Sequence, residues 1–157
     1  MHSRIFQISS EPITEENLIH ESRYDDGFVG SAGIDYVVES ESVKEDLEWL
    51  GHREGIEIKE DNGVFTLTIV SKKAFFEKQF EEFKELSEKV SNYSIEEFID
   101  AGNWLDFYRL KDAYEDTHGF HIDDNDEYFG ITTLDNFMRN VEEGKTYYIG
   151  KTFDYHF

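Results

Sequence analysis

The chain has 157 residues, enough for one domain with a core of its own. It carries 36 carboxylates against 15 Lys and Arg, a formal charge of −21, and no cysteine. That composition excludes disulfides, thiol catalysis and thiolate-based zinc sites. It also disfavours direct binding to nucleic acid or to an anionic membrane, since both attract basic surfaces.

Hydrophobic residues make up only 38%, but aromatic residues reach 16%. A disordered acidic chain would lack those rings. The expectation is therefore a folded α+β domain with a core rich in Phe and Tyr. The acids are spread along the whole chain, so the charge belongs to the folded surface and not to a tail. No apolar run is long enough to span a membrane, and the first residues lack the apolar core of a signal peptide. The cytoplasm is the expected compartment.

In chain order, S-R-I-F-Q-I-S at 3–9 reads as a strand closed before Pro12, and Thr14 starts a short helix reaching Ile19. The run G-F-V-G-S-A-G at 27–33 reads as turn or loop, because its spacing fits no dinucleotide fingerprint. Ser42 caps a helix that ends at Gly51. I-E-I-K-E, D-N-G and V-F-T-L-T-I-V then form a hairpin with a three-residue connection. Ser71 caps the longest helix, with Phe76, Phe80, Phe83, Leu86 and Val90 as its buried stripe. Two more helices follow, one after Ser94 and one from about 103 to 117, and a last one runs from Thr133 to Gly144. The end of the chain is a strand or bulged pair. Tyr147, Ile149, Phe153, Tyr155 and Phe157 share one parity there and so read as a single buried face. The whole reads as one domain, 1–157, with a mainly antiparallel sheet packed by several helices.

H-G-F-H-I-D-D-N-D-E at 118–127 is the most ligand-like segment. Two imidazoles, His118 and His121, with the carboxylate of Asp123, are the ligand types of a facial triad or a catalytic zinc site. A calcium loop starting at Asp123 fails, because position 6 is Tyr128 and position 12 is Leu134. The plainer reading is an exposed turn entering a strand over E-Y-F-G-I. G-K-T occurs at 144–146 and again at 150–152, with five residues between Gly144 and Gly150 and no helix after the second copy. A phosphate loop needs four residues and a helix.

On the long helix, Glu77, Glu81, Glu85 and Glu88 step by four, four and three, which lines them along one outer face. Carboxylates at such spacing resemble a nucleic-acid backbone. In size, charge and lack of cysteine the chain resembles small acidic antirestriction and anti-CRISPR proteins; the resemblance covers composition and this helix face and carries no motif. The leading expectation is a non-catalytic interaction protein whose acidic face binds a basic partner, such as a nucleic-acid-binding protein. The alternatives are a divalent-metal module or metal-dependent enzyme at His118, His121 and Asp123, and a structural or accessory domain. No other cofactor is expected, and oligomeric state is left open.

Overall fold

Hydroxyl side chains start four of the five helices. Ser42 accepts a hydrogen bond from Glu45 N (3.3 Å) ahead of α1 (Val43–Gly51), and Ser71 from Ala74 N (3.1 Å) ahead of α2 (Lys72–Ser91). Ser94 forms a full capping box with Glu97 ahead of α3 (Ile95–Ile99), and Thr133 accepts from Asn136 N ahead of α5 (Leu134–Asn140). Each cap satisfies an N–H that the helix itself leaves unpaired. α4 (Trp104–Tyr114) has no side-chain cap and follows a short 3-10 turn, Ala101–Asn103.

The computed structural model describes residues 1–31, 33–127 and 130–157. Its strands are β1 (His2–Ser9), β2 (Tyr36–Glu39), β3 (Ile56–Asp61), β4 (Val64–Ile69), β5 (His121–Asp124), β6 (Ile131–Thr133) and β7 (Thr146–His156). They form one sheet ordered β3-β4-β7-β1-β5-β6, and β2 pairs with the far half of β7. Every pairing is antiparallel except β1 with β5. The chain is an α+β fold, as its patterning implies. Among the described residues no helix is long and apolar enough to cross a membrane.

Both faces of the sheet are covered. On the first, Phe6, Ile8, Leu67, Ile69, Ile122, Tyr147 and Ile149 meet Leu47 and Leu50 of α1 and Leu134, Phe137 and Met138 of α5. On the second, Ile5, Phe153 and Tyr155 meet Tyr24 and Ile34 from the glycine-rich segment between β1 and β2. Gly27, Gly30 and Gly33 all have positive φ there, which favours glycine at each turn. Ala32, within that run, lies outside the described residues.

β7 serves both faces. Ile8 pairs with Ile149 but Phe6 with Thr152, so one extra residue of β7 bulges out at 150–151. The bulge reverses the alternation. Tyr147 and Ile149 point to the first core, whereas Phe153 and Tyr155, of the same parity in sequence, point to the second. The expected single buried face is thereby corrected. Gln7, fully buried, holds the bulge: its Oε1 accepts from Lys151 N (3.0 Å) and its Nε2 donates to Asn17 O (2.7 Å).

Three further expectations change. The hairpin has a two-residue loop, because Asp61 pairs with Val64. Asn62 and Gly63 both take positive φ, as a type I′ turn requires. The last helix stops at Asn140 and not at Gly144, with Val141 already extended. And α2 has no buried residue: Phe80 is 57% exposed, and only Phe75 and Phe76 at its start reach the first core. α2 packs mainly on α4 instead of on the sheet.

Candidate functional site

The segment singled out for metal binding is largely a strand. His121, Ile122 and Asp123 lie buried in β5, paired with Ile5, Phe6 and Gln7 of β1, so the exposed-turn reading fails from His121 to Asp123. Tyr128 and Phe129 of the expected strand lie outside the described residues, and β6 begins only at Ile131. His121 and Asp123 share the second face of the sheet with quite different surroundings. The carboxylate of Asp123 accepts two hydrogen bonds from Arg23, Nε at 2.9 Å and Nη2 at 3.1 Å. His121 is edge-on to Phe28 and Tyr155, and its Nδ1 donates to Gly119 O at 3.1 Å. Burial pushes its pKa down to about 4, so it is a neutral core imidazole at pH 7. His118 lies outside the strand, stacked on Phe157 with ring centroids 4.5 Å apart. Among the described residues no group of three His, Cys, Asp or Glu side chains is placed to hold a metal ion.

The acid row of α2 is displayed as its spacing implies. Glu77, Glu81, Glu85 and Glu88 are all exposed. Among the described residues Glu81 alone of the four has a cation within ion-pair distance, Lys84 at 2.8 Å. Lys89 turns away from Glu85 and pairs with Asp106 of α4 at 2.6 Å, where Tyr93 also donates its hydroxyl proton. That contact fastens the end of α2 to α4. The start of α2 is fastened to the end of α5: Lys72 Nζ donates to Arg139 O (2.6 Å) and Val141 O (2.9 Å).

Between α2, α4 and the start of α5 lies a cleft of about 480 Å³, lined by Arg53, Lys78, Arg109, Asp112, Asp116 and Asp135 among others. Buried Asp135 accepts from Gln79 Nε2 (2.7 Å) and from Asp116 N (2.8 Å), which ties α2 to the strand-entry loop. The carboxyls of Asp112 and Asp116 are both raised, chiefly by burial. Neighbouring carboxylate charge adds to each shift, from Asp116 on Asp112 and from Asp135 on Asp116. Sequence reasoning missed this cleft. Its only local sign is the Asp112–Asp116 spacing, and Arg53, Gln79 and Asp135 come from distant elements. His52 and Lys78 share the described lining with these carboxyls. Raised carboxyls side by side in a cleft are groups suited to acid–base work.

No family model, no curated protein and no solved structure matches this chain.

One stretch of the surface is apolar. In α3, Ile95, Phe98 and Ile99 are 66%, 62% and 73% exposed, and Trp104 at the start of α4 is 62% exposed. Leu105 and Tyr108 follow on the same helix, also exposed.

Proposed function

We propose that this chain is a non-catalytic interaction protein of the cytoplasm that binds a basic partner through the acidic face of α2, imitating a nucleic-acid backbone. The observation that supports it is the uncovered row Glu77, Glu81, Glu85 and Glu88 on a helix that buries none of its own residues. Successive members of the row are about 4.5–6 Å apart along the axis. A basic groove built to follow phosphates, about 3.4 Å apart per strand, meets a comparable line of negative charge. The −21 of the whole chain adds long-range attraction and fast, salt-sensitive association.

The test is binding to a panel of basic nucleic-acid-binding proteins at low salt, with a variant in which the four glutamates become glutamine. The expected result is binding to at least one member, competed by duplex DNA and weakened about tenfold or more in the variant. Binding to none of them, or equal binding by the variant, overturns the reading.

A further inference from the structure

α3 is an amphipathic helix turned inside out. Ile95, Phe98 and Ile99 fall at i, i+3 and i+4, the spacing that normally faces a core. Here all three face solvent, and the capping box at Ser94 holds the helix in place while they do so. Phe98 packs edge-on against Phe107 of α4, at 5.6 Å between centroids, so the stripe runs on to that helix. One turn away Trp104 and Tyr108 stand together at i and i+4, 6.1 Å apart. Asn103 Nδ2 donates to Glu97 O at 2.7 Å and locks the turn between the helices. Scattered apolar residues on a surface mean little, but six exposed apolar side chains gathered on two helices joined by a locked turn mark a binding site.

We infer that the α3–α4 face is a docking site for a cationic amphipathic helix of a partner protein, with Phe98, Ile99 and Trp104 as its apolar anchors. The inference rests on the reading of the chain as a binder of basic partners and names how such a partner is held. Charge selects the occupant. From residue 90 to 108 there is no Lys or Arg, and Arg109 follows; Glu96, Glu97 and Asp100, all exposed, flank the apolar positions. Lys89, just before that stretch, is already committed to Asp106. A second copy of this chain would bring an equally acidic rim and another −21 to the same place, so like charge opposes it. An added strand finds no sheet edge here, because the face is built from two helices and a 3-10 turn. A helix that brings leucine-like residues on one face and lysines or arginines on the other meets both the patch and its rim.

The experiment uses the full chain with Trp49→Phe, which leaves Trp104 as its sole tryptophan. Three synthetic peptides of about five helical turns serve as probes: Leu/Lys with leucines on one face, Ser/Lys of equal charge, and Leu/Glu. Trp104 emission reads burial, and sedimentation equilibrium reads self-association. The expected result is a blue shift with Leu/Lys, affinity at least about tenfold above Ser/Lys, and no binding of Leu/Glu. Phe98→Ser with Ile99→Ser should bring Leu/Lys down to the Ser/Lys level. Both residues are exposed, and circular dichroism verifies that the double variant is folded. Equal affinity for Leu/Lys and Ser/Lys overturns the inference, as does an unaffected double variant. So does a dimer of the free chain that the double variant abolishes. If the patch variant changes nothing while the four-glutamine variant of α2 weakens both lysine peptides, the patch falls and the acidic-face reading stands. If the patch variant acts and the glutamine variant does not, the reverse holds.

Discussion

His121 shows how a polar residue becomes part of a core. Phe28 and Tyr155 enclose the ring, and the Gly119 carbonyl fixes the proton on Nδ1. Its pKa falls from 6.5 to about 4, mainly because burial penalises the charged form. The unfolded chain binds a proton near pH 6.5 that the native chain refuses until about pH 4. Stability is therefore full above pH 6.5 and is lost as pH falls through that window, by about 3 kcal/mol at about 1.4 kcal/mol per pH unit. Comparing urea denaturation of the wild type with His121→Gln between pH 7 and pH 4 isolates this loss; the variant should lack it. Asp116 acts with the opposite sign. Its carboxyl is raised, so stability falls as the pH rises from the ordinary carboxylate value of 3.8 through the higher folded one. Asp116→Asn keeps an acceptor for His118 N and should raise the urea midpoint at pH 7 while changing little at pH 3. A lower midpoint at pH 7 would mean that the charge is needed, for example to face Arg53.

At the scale of elements, the sequence shows where structure begins better than which way it faces. The hydroxyl caps at Ser42, Ser71, Ser94 and Thr133 were legible because each acts on a neighbour three residues away. β5 was not, because its polar residues are satisfied from afar: Arg23 reaches Asp123 across a hundred positions. The bulge at Gly150 was equally hidden, since alternation along β7 looks unbroken in the sequence. A Cβ on Gly150 would lie 2.4 Å from Gln7 Oε1, and the bonds of Gln7 leave it little room to shift. Gly150→Ala should cost about 1–3 kcal/mol, read as a fall in the urea midpoint. The stripe of α2 is half-buried at Phe76, Phe83, Leu86 and Val90 and exposed at Phe80: helical periodicity identifies an apolar face, but not whether a sheet, another helix or solvent covers it. Phe80→Gln should accordingly change stability by less than about 0.5 kcal/mol. Met138→Ala on α5, at 0% exposure, should cost about 2–5 kcal/mol. Of the candidate site, the acid row was legible because four exposed residues on one helix need only the period. The α3–α4 patch was not, because Ile95, Phe98 and Ile99 have the spacing of a core helix.

For the whole molecule, salt should act in two opposite directions, and the contrast separates structural charge from functional charge. A chain at −21 repels itself when compact, so screening should stabilise the fold. The screening length falls from about 30 Å at 0.01 M to about 10 Å at 0.1 M and 3 Å at 1 M. Most of the relief should therefore come below about 0.1 M, where long-range repulsion between separate parts of the surface is lost. Close pairs such as Arg4–Asp46 at 2.5 Å and Arg23–Asp123 are partly or fully buried and should survive at high salt. The expected outcome is a midpoint of thermal unfolding that climbs steeply to about 0.1 M NaCl and then levels. Binding of a basic partner should weaken over the same range, chiefly through a slower association rate, because screening removes the steering field. The dissociation rate should change less where apolar anchors hold the complex. A partner whose association rate ignores salt while the fold responds to it would show that the acidity serves the folded surface alone.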